Sequence, residues 1–147
     1  MKRKGLSWTT EHYEAYRVKR SAGVMQGGAP EELKSESQEQ AAVIEWADNH
    51  PEIAGRLFAI PNGAHKSKAG AAKFKREGLR RGVPDLFLPL ARKGFHGLFI
   101  EMKREKKAVI SHQQRDWLDY LASQGYYTAL CFGAHEAIHE INGYLAP

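Results

Sequence analysis

The sequence predicts an α/β domain, a mixed central sheet flanked by helices. Three observations carry this. Two apolar, strand-like segments lie either side of a short turn at residues 91–96, helical patterns begin at serines ahead of and behind this pair, and a further strand and helix close the chain. A domain over residues 35–147, preceded by an arm and linker over 1–34, is the expected organisation.

In the arm, Thr9, Thr10 and Glu11 precede a short helical pattern ending at Arg20, and the glycines and proline of 21–30 read as a linker. Ser35 or Ser37 can cap the next helix. Ala41, Val43, Ile44, Trp46 and Ala47 supply its apolar positions, and Asn49-His50-Pro51 stops it. Glu36 and Gln40, four apart, share one face, so Glu36 is expected at the inner edge of the helix near the strands. Glu39 is the competing first-turn acid, since either carboxylate favours a helix N-terminus.

Residues 56–60 read as a short strand, ended by the turn signal Pro61-Asn62-Gly63. The segment 64–81 is strongly basic: Lys66, Lys68, Lys73, Lys75, Arg76, Arg80 and Arg81 stand against one acid, Glu77, with small residues between. Part loop and part helix, it can lay cations along a phosphate backbone; a merely solvated basic face is the rival reading.

The centre of the chain is Gly82-Val83-Pro84-Asp85-Leu86-Phe87-Leu88-Pro89-Leu90, followed by Gly97-Leu98-Phe99-Ile100-Glu101-Met102-Lys103. The second strand alternates, with Phe99, Glu101 and Lys103 on one face and Leu98, Ile100 and Met102 on the other. One face is expected to pack and the other to carry chemistry. The intervening turn contains Gly94 and suits a hairpin, which brings Asp85 to Glu101. Two carboxylates beside a lysine suit a hard cation, Mg²⁺ or Mn²⁺. Lysine cannot ligate it, but can orient or help deprotonate the attacking water, or stabilise charge on a phosphate oxygen. Alternating charges on an exposed strand are common, and Glu-x-Lys alone is a weak signal; Pro-Asp heading the preceding strand strengthens it considerably.

Arg104, Lys106 and Lys107 add positive charge beyond this strand. Ser111-His112-Gln113-Gln114 opens a helix through Ser123, with Trp117, Leu118 and Leu121 as its buried stripe and Gly125 as terminator. Ser111 and Gln114 form a capping box, a purely structural role. A strand over 126–132 and a helix over 134–144 follow. His135-Glu136-Ala137-Ile138-His139 spells His-Glu-x-x-His, the helical signature of a zinc protease. After it only Glu140 could ligate, and it directly adjoins His139, so a third ligand would have to come from upstream and an amphipathic closing helix is expected instead.

The net charge of +5 and a pI near 9.4 favour a polyanionic partner. No apolar run approaches a membrane span, and no secretory signal is evident. The single cysteine, Cys131, is expected buried and inert, which fits a reducing cytoplasm.

The order Pro-Asp then Glu-x-Lys resembles the PD-(D/E)xK nuclease superfamily. The spaced set Ser35-Glu36, Gln40, Pro61-Asn62-Gly63, Gly78 to Asp85, Leu98 to Lys103 and Ser111 to Trp117 resembles its VRR-NUC branch. The resemblance implies a restriction-endonuclease-like core and a divalent-metal-dependent, structure-selective DNA endonuclease. Glu36, Asp85 and Glu101 would be its acids, Lys103 its lysine and Gln114 the glutamine positioning lysine, water or phosphate. The implied metal ligands are Asp85, Glu101, Glu36 and the Met102 backbone carbonyl. Small stand-alone members look like phage-type homodimers that cut four-way (Holliday) junctions, whereas fused versions cut flaps. Branched DNA in a phage or bacterial host cytoplasm is therefore the expected partner. A non-catalytic DNA-binding module is the other class left open.

Overall fold

The computed structural model describes residues 35–61, 67–104 and 109–147. The N-terminal arm, with the helix and linker expected there, Asn62 and Gly63 of the turn, and the basic residues Lys66, Lys106 and Lys107 lie outside the described residues.

The elements run α1 (Glu36–Asp48), β1 (Phe58–Ala59), α2 (Lys68–Arg76), β2 (Leu86–Leu88), β3 (Leu98–Lys103), α3 (His112–Ser123), β4 (Tyr127–Phe132) and α4 (Gly133–Leu145). Their sheet has the order β1-β2-β3-β4. The first two pairings are antiparallel and the third, across the α3 connection, is parallel. The fold is therefore mixed α/β, as the sequence predicts.

Local chemistry sets the ends of these elements. At α1, Ser35 is the N-cap, and its capping box closes through Gln38 rather than through an acid. The β2–β3 connection is a tight turn in which Arg92 and Phe95 exchange backbone hydrogen bonds around Lys93 and Gly94, both at positive φ. Positive φ at both central residues matches the twist of the flanking strands, and Gly94 meets half of that demand at no steric cost. β1 is shorter than the expected strand over 56–60. Turns occupy 51–56, with Gly55 at φ 67, and Pro61 cannot donate to a ladder. Pairing does continue one step beyond β1, where the Ile60 N–H donates to the Asp85 carbonyl at 2.7 Å.

The two sheet faces differ. Leu86, Leu88, Leu98, Ile100, Met102, Ala129 and Cys131 pack against Val43 and Ala47 of α1 and Ala137, Ile141 and Tyr144 of α4, forming the main core. The opposite face carries an aromatic row, Phe87 stacked on Phe99 with Tyr126 edge-on to both, and α3 packs beside it against β4 with Leu118 and Leu121 buried. Trp117, expected in that stripe, is half-buried. Helices on both faces explain why a strand with two charged residues still lies in the interior. Among the described residues, no helix is long and apolar enough to cross a membrane.

Candidate active site

Glu101 and Lys103 are two apart on β3, so both side chains leave the sheet on the α3 side. Lys103 Nζ lies 2.7 Å from Glu101 Oε1. Glu101 is 1% exposed, a depth that alternation on a charged face does not predict. The cover is α3, whose Gln114 Nε2 donates to the same Oε1. Gln114 combines the two roles that the sequence offers as alternatives. Its Oε1 accepts the Ser111 N–H at 3.0 Å, completing the capping box, and this leaves the amide nitrogen for Glu101. It thus orients the carboxylate rather than the lysine.

Glu101 Oε2 is buried, with no hydrogen-bond partner among the described residues. Burial pushes this carboxyl up from 4.5 to about 7, the nearby negative charge of Asp85 adds to the rise, Lys103 opposes it through its hydrogen bond and charge, and Glu36 contributes a further rise. Perturbation of this kind, desolvation together with named charges, is typical of functional carboxylates.

Asp85 immediately precedes β2. The register Leu86 opposite Ile100 places Asp85 opposite Glu101 when continued by one residue, and directly opposed residues share a face. Its Oδ2 accepts the Met102 N–H at 2.7 Å, which ties the carboxylate to β3. Of Met102, whose carbonyl the resemblance makes a ligand, the N–H is thus the group in a described contact.

The two glutamates of α1 separate by role. Glu36, the first helical residue, is exposed and acts on Glu101 through space. Glu39 Oε2 accepts the Ala134 N–H at 2.6 Å, capping α4, which starts after Phe132 with no capping side chain of its own. A helix beginning Phe-Gly-Ala lacks a local cap, and that is the sequence signal from which an outside acid could have been expected. Among the described residues, no three His, Cys, Asp or Glu come close enough to hold a metal ion. The structure therefore brings together Asp85, Glu101, Lys103 and Gln114, with Glu36 at a remove.

The donor chemistry fits a hard divalent cation on Asp85 and Glu101. Both are oxygen donors, one buried oxygen has no partner among the described residues, and their mutual repulsion is what a cation relieves. Mg²⁺ commonly takes only one or two carboxylates and keeps its waters.

Around this centre Lys68, Lys73, Lys75, Arg76, Arg80, Arg81 and Arg104 are all exposed, and α2, which carries four of them, buries none of its residues. The His-Glu-x-x-His segment is part of α4. His135 and His139 are exposed, and Glu136 Oε2 accepts the Phe132 N–H at 2.8 Å. Cys131 is buried, and desolvation raises its thiol well above the usual range, as expected of an inert cysteine.

An α/β domain with an acid–lysine centre on its sheet defines a class of protein, and comparison with known proteins narrows it. The VRR-NUC domain family matches residues 30–135. A solved structure described as a VRR_NUC domain protein superposes with a TM-score of 0.68 at 28% identity, covering 78% of this chain and 90% of that one. No curated protein matches. The chain belongs to the VRR-NUC family, a family of nucleases.

Proposed function

We propose that the protein is a divalent-metal-dependent endonuclease acting on branched DNA, with the four-way junction as its preferred substrate. The observation that carries this reading is Glu101, a buried carboxylate that pairs with Lys103, lies within reach of the Asp85 charge and has one oxygen with no partner among the described residues.

Asp85 and Glu101 would hold Mg²⁺ or Mn²⁺, with Glu36 assisting from α1; the ion supplies Lewis-acid stabilisation of the charge that builds on phosphate during hydrolysis. Gln114 and Lys103 fix the orientation of Glu101. Lys103 carries a charge that reaches the same space, where it donates to a phosphate oxygen or steers the attacking water. As the water oxygen bonds to phosphorus, the ester P–O bond breaks and a proton passes to the departing oxygen. The exposed cations of α2, with Arg80, Arg81 and Arg104, hold the backbone through contacts that depend on salt and little on sequence.

A homodimer suits the substrate, because a two-fold junction offers two equivalent strands to a two-fold enzyme. The setting is the cytoplasm of a bacterium or of a phage-infected cell.

The test is cleavage of labelled four-way junction, flap, single strand and duplex with Mg²⁺, Mn²⁺ or chelator, wild type beside Lys103→Ala. Paired symmetric cuts that need metal and Lys103 are expected. Flap cutting alone would replace the junction as substrate, and binding without cleavage anywhere would leave a DNA-binding protein on a nuclease fold.

A further inference from the structure

Gly82 stands three residues before Asp85, and Gln113 one before Gln114. The two meet at backbone distance. A Cβ on Gly82 would lie 2.6 Å from the Gln113 carbonyl carbon, 2.8 Å from its oxygen and 2.8 Å from its Cβ. These are atoms of a helical first turn rather than the end of a flexible side chain, so they cannot step aside locally. Gly82 also has φ 84, a second bar to any L side chain.

The contact closes a ring around the acid pair. From Asp85 the ring passes through the Met102 N–H to β3 and Glu101, from Glu101 to Gln114, along α3 to Gln113, and back through Gly82 to Asp85. This link adds a tie between the loop carrying Asp85 and the site to those made by β2 and by the Asp85–Met102 hydrogen bond. We infer that Gly82 is a positioning residue: seated against Gln113, it holds the Asp85 loop on the turn that carries Gln114 and so sets the spacing of the two carboxylates. This rests on reading those carboxylates as the metal site.

Gly78 is the matched control, with φ 101 and nothing within 4 Å of an added Cβ. Alanine there meets the backbone penalty without the collision. Mn²⁺ binding to DNA-free protein is measured by calorimetry for wild type, Gly82→Ala and Gly78→Ala, with circular dichroism and junction cleavage alongside. Displaced supports of metal ligands typically weaken affinity or activity about 10- to 100-fold. Gly82→Ala is expected to lose Mn²⁺ affinity by about 10-fold or more and cleavage by about 100-fold, with Gly78→Ala close to wild type. Gln113→Gly removes the Cβ, one of the three atoms against Gly82, and keeps the carbonyl, so it loosens the same seat in part if Gly82→Ala does not fold; it is expected to weaken Mn²⁺ binding by a smaller factor.

Equal Mn²⁺ affinity in folded Gly82→Ala and Gly78→Ala overturns the inference, as does Gln113→Gly binding like wild type where Gly82→Ala is unfolded. Wild type that binds no Mn²⁺ overturns it too. Wild type that binds Mn²⁺, loses it on Gly82→Ala and cuts no DNA upholds the role of Gly82 while removing the nuclease reading.

Discussion

Replacing Glu101 with glutamine should flatten part of the pH dependence of folding, by an amount set by burial. The carboxyl titrates near 7 in the folded protein against 4.5 ordinarily. Across that window the folded state keeps a proton that the unfolded chain has released. The stability that Glu101 contributes is therefore fully present below pH 4.5 and is lost as pH rises towards 7, the reverse of a salt-bridged carboxylate with a depressed value. At about 1.4 kcal/mol per pH unit, the loss amounts to about 3 kcal/mol. Glutamine has the shape of the protonated acid and does not titrate. Unfolding by urea, followed through tryptophan fluorescence in chelator, should show wild type falling relative to Glu101→Gln by about 3 kcal/mol from pH 4.5 to above 7, with the titrations of groups remote from Glu101 cancelling in the difference. Mg²⁺ or Mn²⁺ should restore wild type at the upper end and leave the variant unchanged. A difference that stays constant across the window would refute the reasoning, because it would mean that Glu101 is ionised at no cost in the folded protein.

The two α1 glutamates should part company: Glu39→Ala removes the cap on α4 and costs about 1 kcal/mol of stability with cleavage retained, whereas Glu36→Gln spares stability and raises the divalent concentration needed for cleavage. Urea unfolding and a Mn²⁺ titration of cleavage separate them. Converting Lys73, Lys75 and Arg76 together to Gln should leave the circular dichroism of the fold intact, because α2 buries nothing, and should reduce the slope of log affinity against log salt by about 0.9 for each lost phosphate contact. Gln114→Glu should preserve the capping box, since glutamate serves at that position as well as glutamine, yet place an acid against buried Glu101; cleavage should fall steeply with the far-ultraviolet spectrum unchanged, and a variant as active as wild type would remove Gln114 from the site.

Most of the fold was legible because its signals are local. Ser35 and Ser111 announce helices through side chains that bond within one turn, Lys93-Gly94 announces a hairpin, and the alternation of β3 sorts Leu98, Ile100 and Met102 from Phe99, Glu101 and Lys103 within a single strand. The hairpin then makes the opposition of Asp85 and Glu101 nearly automatic, as a register imposed by one short turn. The extent of β1 was not legible, because Gly55 turns the chain before residue 56 and apolarity alone cannot distinguish a buried Leu57 just after the turn from Leu57 in a strand.

What stayed hidden depends on meetings between distant segments. Nothing local to Glu39 says that it reaches a helix 95 positions away, and nothing local to Glu101 says that a helix from beyond β3 will seal it from water. Gln114 marks the boundary between the two kinds of information. Its pairing with Ser111 is written in a four-residue motif, whereas its contact with Glu101 exists only because α3 lies across the sheet. The two roles are nevertheless one geometry: an amide presents one acceptor and one donor end, the Ser111 N–H takes the acceptor, and the donor is thereby turned towards the carboxylate. Capping the helix is what aims the side chain, so a residue whose sequence context argues for structure alone is the one that joins folding to the candidate active site.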